Sequence, residues 1–193
     1  MPAPESNLVE HAGYLSSEQI RTLVQLAVDK GQYDLMLSIE NQGRAIEGES
    51  PRQFSDSRTR MEVEGYLWGV ATPINSMGDV DHWNAYPRML YVLRRCDAAT
   101  ASLLSLINGR SDALRITLSA YRAGGEAQPD PSLQFVVEQG RLTSHTLLTA
   151  PGALGPCEIL SFAGRDFTVS SRPQQGSGRA GAERVFTMNL AGD

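Results

Sequence analysis

The first periodic segment of the chain is an amphipathic stretch that begins at Ser16. Ser16 and Gln19 have the spacing of a capping box, in which each side chain bonds the other residue's backbone N–H. The apolar residues that follow recur at i, i+3, i+4 and i+7 on one helical face: Ile20, Leu23, Val24 and Ala27. Gly31 stands where a helix commonly ends. We therefore predict a helix over residues 17–30, after a mobile tail of residues 1–15.

From Tyr33 onward the apolar positions recur with the period of two that is typical of β-strands. This alternation predicts strands near residues 35–40, 61–69, 89–93, 113–121, 133–138, 141–148, 158–170 and 184–190. The polar segments 41–58 and 171–182 are predicted loops, and residues 71–86 are a predicted loop or hairpin arm. Gln139-Gly140 is a predicted turn between two strands.

A second helix interrupts the strands at residues 98–108, with Asp97 as its expected N-cap and Gly109 as its stop. About eight strands around one helix predict a mainly β protein, a small antiparallel barrel or sandwich with one central helix and an added N-terminal helix. We divide the chain into an N-terminal extension, residues 1–32, and a β domain, residues 33–193.

Composition narrows the classes of function. The chain has 22 acidic and 17 Lys or Arg residues, a formal net charge of -5, and so no basic excess for a nucleic-acid partner. No stretch approaches the ~20 apolar residues of a membrane span. The N-terminus lacks the pattern of a cleaved signal peptide, so we expect cytoplasmic synthesis, with any export independent of such a signal. Cys96 and Cys157 are too far apart for a metal or redox motif, and we expect reduced, buried thiols.

Histidines, the usual general bases and metal ligands, are scarce. The chain has three: His11 in the tail, His82 in a loop and His145 in a predicted strand. Asp79 and Asp81 beside His82 could form a metal site or an acid–base pair, although such a trio is far more often a solvated loop. No second cluster completes a metal shell.

Other candidate motifs also have plainer interpretations. There is no G-x-S-x-G elbow and no phosphate-binding glycine loop, since the glycines of residues 176–181 lie between predicted strands and open no helix. Glu62 and Glu64 would share one face of a strand, where exposed charges are commoner than an acid pair. Trp68 is predicted to pack under the sheet, whereas Trp83 either enters a partner or folds over its own domain. We therefore predict no enzyme, no metal and no cofactor.

Several segments in order resemble the Hcp family, the tube proteins of bacterial type VI secretion. They are Ile46-Glu47-Gly48-Glu49-Ser50, Met61-Glu62-Val63 with Tyr66-Leu67-Trp68-Gly69-Val70, Leu90-Tyr91-Val92-Leu93 leading to Asp97, Ala99, Thr100, Leu103 and Leu104, Ile116-Thr117-Leu118 with Arg122-Ala123-Gly124-Gly125, Leu142-Thr143-Ser144, and Glu158-Ile159-Leu160-Ser161-Phe162. The resemblance covers residues 33–193. Three features depart from the family pattern: Ser57 replaces a common histidine, Thr187-Met188-Asn189 replaces G-W-D, and the first 32 residues have no counterpart.

The resemblance implies a structural protein that assembles as a six-membered ring around a central channel. It further implies that rings stack into a tube inside a contractile sheath, carry effector cargo and are capped by a spike protein. The loop at residues 71–86 resembles the family hairpin that reaches a neighbouring ring, so we predict Ile74, Met77, Trp83 and Tyr86 as contacts between subunits or rings. Two alternatives stay open: a phage-like tail-tube protein, and an adaptor whose N-terminal helix docks on a partner.

Overall fold

The computed structural model describes residues 16–28, 33–52, 54–72, 85–122, 130–150, 155–173 and 181–190. Its helices are α1 (Ser17–Val28) and α2 (Ala99–Asn108). Its strands are β1 (Tyr33–Asn41), β2 (Arg44–Ile46), β3 (Met61–Val63), β4 (Gly65–Leu67), β5 (Val70–Ala71), β6 (Tyr86–Pro87), β7 (Leu90–Arg95), β8 (Leu114–Arg122), β9 (Leu133–Ala150), β10 (Gly155–Ala163), β11 (Asp166–Ser171) and β12 (Arg184–Asn189).

The strands form two antiparallel layers that share β9. In the large sheet, β2 and β3 both pair with β1, and the order continues through β8, the first half of β9, β11 and β12. In the small sheet, the second half of β9 pairs with β10, followed by β7 and β4. The strand β9 can serve both layers because residues 133–138 pair with β11 and residues 141–150 pair with β10.

The main core lies between the two layers, where α2 also inserts. Its buried side chains come from β1, β3, β7, β8, β9, β10, β11 and α2, and we call this set the main core: Leu37, Ile39, Met61, Val63, Leu90, Val92, Ala99, Leu103, Leu106, Leu114, Ile116, Leu118, Phe135, Val137, Leu142, Leu160, Phe162 and Phe167. The alternation of apolar positions predicts most of these residues, because successive strand side chains point to opposite faces.

The layers form a sandwich, and the sheet is not closed into a barrel. The segment that could close it, residues 61–67, pairs with β1 through β3 and with β7 through β4. Each of these ladders spans three residues, and Glu64 separates them. Because the hydrogen-bonded ladder is interrupted at this corner, the predicted sandwich is confirmed and the predicted barrel is wrong. The mainly β composition and the central helix are confirmed.

The predicted turn at Gln139-Gly140 is wrong, since the chain continues through it as one 18-residue strand. Gln139 has a φ of +48°, and the register of β8 on β9 shifts between Leu114 and Ile116. These features mark a β-bulge, which bends a strand without ending it. A Cβ atom at Gly140 would lie 2.2 Å from Cδ1 of Ile116 and 3.1 Å from the carbonyl oxygen of Leu114, so a larger residue there would force the Ile116 side chain to move.

Two further strand boundaries differ from the prediction. Residues 158–170 are two strands, β10 and β11, because the chain turns after Ala163. Residues 44–46, predicted as loop, form β2, which pairs with β1 across a turn at Gln42 and Gly43. Both turn residues have positive φ, 51° and 78°, as a tight two-residue hairpin requires.

The predicted capping box of α1 is confirmed. The backbone N–H of Ser16 donates to Oε1 of Gln19 at 2.8 Å, and the N–H of Gln19 donates to Oγ of Ser16 at 3.2 Å. The predicted stop, Gly31, lies outside the described residues. In α2 the predicted stop is confirmed, since Gly109 is the C-cap. At the other end Ala98 directly precedes the first helical residue and makes no side-chain cap bond. The capping side chain is that of Asp97, as predicted, because its Oδ1 accepts the N–H of Ala99 at 2.8 Å.

Candidate assembly surfaces

The predicted hairpin arm is present at its base. Strands β5 and β6 form a separate two-stranded ladder that pairs Val70 with Pro87 and Ala71 with Tyr86. The N–H of Arg88 donates to the carbonyl of Gly69 at 2.8 Å and extends the pairing toward the domain. Tyr86 and Val70 leave 49% and 38% of their surface exposed. Tyr86 is therefore an accessible aromatic side chain on this stem.

The other three predicted contact residues, Ile74, Met77 and Trp83, lie outside the described residues, and their contact role stays a prediction. The base of the arm is attached to the main core through Trp68. Its ring lies 4.4 Å from that of Phe135 and 6.0 Å from that of Phe167, measured between centroids. The predicted packing of Trp68 under the sheet is thus confirmed, and it fixes the point from which the arm leaves the domain.

The outer strand of the large sheet, β12, presents apolar side chains to solvent. It pairs with β11 on one side, and within the described residues no strand pairs with its other side. Val185 and Phe186 are 58% and 45% exposed, and they fall on opposite faces of the strand because they are consecutive. An exposed apolar edge strand is a template for pairing with another chain. The sequence predicted this strand but did not identify it as a contact surface. The available signal was the pair of large apolar residues, Val185 and Phe186, directly after a polar loop.

The opposite edge of the large sheet differs from β12 in form. There, β2 and β3 each add three residues to β1, and Glu62 on β3 is exposed. A salt bridge of 3.0 Å between Arg58 and Glu40 lies on the same side of β1. The two edges of one sheet therefore carry unlike surfaces, one apolar and one charged. A contact that joins one of these edges to the other edge of a second copy is not two-fold symmetric. It is a head-to-tail contact, which can repeat and close into a ring.

A groove of about 730 Å³ opens beside the start of β1 and the ends of β8 and β11. Its floor includes Leu35, Val63 and Tyr66, and its rim carries arginines such as Arg122 and carboxylates such as Glu62. Burial raises the pKa of the Tyr66 hydroxyl. The lining contains three arginines and three carboxylates, so its charges select neither an anionic nor a cationic ligand.

A buried ionic network joins the small sheet to α2. Oε1 of Glu158 on β10 forms an ion pair with Nη1 of Arg94 at 3.1 Å, and Oε2 of Glu158 is hydrogen-bonded to Nε2 of His145 at 2.6 Å. All three side chains are fully buried. Arg94 also pairs with Asp97. Sequence reasoning did not find this network. The signal was present, since Arg94 and Glu158 are charged residues within otherwise apolar strands.

Asp97 connects this buried network to the loop after β2 and to the start of α2. Its Oδ1 accepts the N–H of Ala99 at 2.8 Å, and its Oδ2 accepts the N–H of Glu49 at 3.2 Å. Oε1 of Glu49 in turn accepts the N–H of Ala98 at 3.2 Å. These bonds hold the loop after β2 against the N-terminus of α2, where carboxylates are favourable. Because His145 and Glu158 are buried, the network has a structural role and offers no site for a substrate.

The remaining chemical candidates do not converge. Glu62 is exposed, whereas Glu64 is buried and Oε1 of Glu64 lies 2.7 Å from Nε of Arg95. The prediction that they share one strand face is wrong, because the strand ends between them. Asp79, Asp81 and His82 lie outside the described residues. Among the residues that the structure does describe, no three His, Cys, Asp or Glu side chains are arranged to hold a metal ion.

Both cysteines carry thiols, as predicted. Cys157 is buried as predicted, whereas the predicted burial of Cys96 is wrong, because that side chain is partly exposed. Burial raises the pKa of each thiol. Neither described helix has the length and apolarity that are needed to span a membrane.

Comparison with known proteins identifies the fold from solved structures, whereas comparison of sequences finds no match. No family model matches the chain, and no curated protein matches it. Solved structures do match. One, described as a type six secretion system protein, has a TM-score of 0.66 at 20% identity and covers 81% of this chain and 96% of its own.

Two further solved structures agree. The Hcp1 protein from the E. coli EAEC 042 pathovar has a TM-score of 0.65 at 11% identity, covering 81% of this chain and 97% of its own. Hcp1 from Salmonella typhimurium has a TM-score of 0.60 at 13% identity, covering 82% and 95%. The shared part is nearly the whole of each Hcp structure, while the identity is low. The chain therefore has the fold of the Hcp proteins of type VI secretion.

Proposed function

We propose that this protein is a ring-forming structural subunit of a type VI secretion inner tube. In this proposal the subunits form a six-membered ring, and rings stack into a channel that carries effectors. The fold shared with Hcp proteins supports the proposal, and the single observation that carries it is the pair of unlike edges on the large sheet. The exposed β12 edge needs a cover, and the β2–β3 edge of a second copy supplies a different surface for a head-to-tail contact.

The energetics of the β12 edge are adequate for a subunit contact. Fully burying a Val or Phe side chain is worth roughly 1.5–3 kcal/mol relative to leaving it exposed. Val185 and Phe186 are about half exposed, so burying them in a contact would gain part of that free energy for each side chain. Hydrogen bonds between the paired backbones add to this gain. A ring repeats the contact at every subunit. The stem that carries Tyr86 supplies a second contact, because an isolated two-stranded hairpin is at best marginally stable in water.

We infer that the protein's partners are further copies of itself, sheath and spike proteins, and effector cargo. It would be made in the cytoplasm and leave through the secretion apparatus without a cleaved signal. We assign it no catalytic role, because the described ionisable clusters are either buried or solvated surface pairs.

The adaptor alternative has less support. It requires the apolar stripe of α1 to dock on a partner, whereas Leu23 of that stripe is fully buried against the protein's own small sheet. A phage-like tail tube would use the same fold and edges. Co-expression with type VI sheath and spike proteins, followed by co-purification, separates these two settings.

The experiment is to image the purified protein by negative-stain electron microscopy and to measure its mass by light scattering. We expect rings of one discrete size. Phe186→Lys on β12 should yield folded monomers, whereas Leu104→Lys, which places the same charge on an exposed leucine of α2, should leave rings intact. A strictly monomeric wild-type protein at high concentration would reject the ring. Rings that survive Phe186→Lys would show that β12 is not the contact.

A further inference from the structure

The groove beside the start of β1 crosses the end of the large sheet on its core-facing side. The strand registers align one residue from each of six strands, and directly paired residues of antiparallel strands point to the same face. From β3 to β12 this groove row consists of Val63, Leu35, Ala120, Leu133, Ser171 and Arg184. All six line the groove, and Val63 belongs to the main core, so the row faces inward.

The groove row is apolar along most of its length and polar at one end. Its four residues from β3 to β9 are aliphatic, and at the other end stand the hydroxyl of Ser171 and the guanidinium of Arg184. Arg184 is exposed, and no described residue forms an ion pair with it. Neighbouring strands lie about 4.8 Å apart, so the row is roughly 24 Å long. It is therefore a long apolar track that ends at a positive charge.

The charged residues of the groove are balanced in number but not in orientation. Arg184 is part of the row, and Arg122 lies two positions beyond Ala120 on β8, so both arginines point to the groove side. Asp34 and Glu62 each adjoin a row residue in the sequence, and their strand positions therefore point to the opposite face of the sheet. The strand positions on the groove side thus carry positive charge.

The other two charged residues of the lining have partners outside the groove. Oε1 of Glu64 lies 2.7 Å from Nε of Arg95, and the Glu64 side chain is fully buried. Arg172 pairs with Asp130 and, at 3.6 Å, with Glu183. With these charges compensated, the end of the groove at Arg184 favours an anionic group.

The backbone around the groove row limits the kind of ligand that it can hold. Strands β1, β8, β9 and β11 are each paired on both sides along the row, so their backbone groups are used within the sheet. A peptide laid across the row would bury its own amide groups without backbone partners, which is unfavourable. A hydrocarbon chain has no such groups. The groove volume of about 730 Å³ is in the range of small-ligand sites.

We propose that this groove binds a long-chain fatty acid. The acyl chain lies along the aliphatic part of the groove row, and the carboxylate accepts hydrogen bonds from Arg184 and from the hydroxyl of Ser171. Burial of the chain supplies the affinity, while the charged pair fixes the direction in which the ligand lies. The site lies within one chain, so this inference goes beyond the proposed ring and does not depend on it.

Isothermal titration calorimetry on the full chain tests the site. The probes are palmitate and hexadecyltrimethylammonium, which carry hydrocarbon chains of equal length and opposite charge, both below the concentration at which they form micelles. We expect one palmitate per chain, bound at least about tenfold more tightly than the cation. Arg184→Gln should weaken palmitate binding about tenfold, because it removes a charge-assisted hydrogen bond. Arg165→Gln is the matched control, since Arg165 is exposed at the opposite end of β11, and it should bind as the wild type does.

A second pair of variants tests the acyl part of the groove. Leu133→Glu places a carboxylate in the aliphatic track and should weaken palmitate binding tenfold or more. Leu147→Glu makes the same change at a leucine of β9 that is 57% exposed and lies outside the groove, and it should leave binding unchanged. Should Leu133→Glu fail to fold, the Arg184→Gln comparison still decides, because Arg184 is exposed.

Three results would overturn the site: no saturable palmitate binding, equal affinity for the cation, or undiminished binding by Arg184→Gln. Flotation with phosphatidylglycerol vesicles adds a further arm. Binding to vesicles without binding of free palmitate would show a membrane surface in place of a fatty-acid site. A monomeric protein that binds palmitate would reject the ring and support the site, and rings that bind no palmitate would do the reverse.

Discussion

Replacing Glu158 by glutamine tests the buried ionic network. The substitution keeps the shape of the side chain and removes the charge that Arg94 and His145 both contact, at 3.1 and 2.6 Å. The pair Arg115–Glu138 provides the control, because its Nη1–Oε1 distance is also 3.1 Å while its side chains are 56% and 50% exposed. Glu138→Gln is the same chemical change at the same distance. The two variants therefore differ in burial.

The expected magnitudes follow from that difference. Two unit charges 3.1 Å apart attract by about 1.3 kcal/mol at the dielectric constant of water and by about 5 kcal/mol at an effective value near 20. Exposed pairs retain roughly 0.2–1 kcal/mol after side-chain entropy and screening. Removing one partner of a buried pair costs roughly 3–5 kcal/mol, because the remaining buried charge loses its counter-charge. In Glu158→Gln the buried Arg94 keeps only Asp97 as a counter-charge. We expect Glu158→Gln to lower the free energy of unfolding by that larger amount and Glu138→Gln by less than ~1 kcal/mol.

The assay is urea denaturation at one protein concentration, monitored by far-UV circular dichroism. The comparison requires that the free energy of unfolding falls with urea concentration at the same slope in all variants. A cost for Glu158→Gln as small as that for Glu138→Gln would refute the reasoning. The double variant Arg94→Met with Glu158→Leu extends the test. It should cost less than Glu158→Gln, since no charge is left unpaired between these two positions.

Three further predictions concern other contacts. Ser16→Ala should lower the stability of α1 by about 1 kcal/mol through loss of its cap, seen as faster amide exchange in α1 alone, and exchange that is faster throughout would contradict a local role. Gly48→Ala should lower the free energy of unfolding by roughly 1–3 kcal/mol, because its Cβ would lie 2.6 Å from the carbonyl oxygen of Arg60. Gly69→Ala is the control, since its Cβ would meet nothing within 4 Å, and it should be near neutral in the same denaturation assay. Burial raises the pKa of the Cys157 thiol above its ordinary 9.0, so the stability that the thiol contributes is present below that pH and is lost as the pH rises through the folded-state pKa. Cys157→Ala should therefore flatten the decline of the urea midpoint over roughly pH 8 to 10. An unchanged decline would assign the pH dependence to other groups.

The sequence by itself determined the elements whose signals are local. The capping box at Ser16 and Gln19 forms as predicted, because all of its partners lie within one turn of helix. The alternation along β1 and β8 marks the residues of the main core, since one strand fixes which side chains share a face. The large Trp68 beside Gly69 was correctly assigned to the interior.

Tertiary structure decided the features that depend on residues far apart in the chain. Gln139-Gly140 has the composition of a turn, but β8 and β10 pair on either side of it and keep β9 continuous. Arg94, His145 and Glu158 become one network because three strands align them, and spacing along the chain holds no record of that register. The same holds for α1. Its stripe predicted that it would pack on something, and only the fold, by placing apolar residues of β7 and β10 on the outer face, shows that the protein's own small sheet is what it covers.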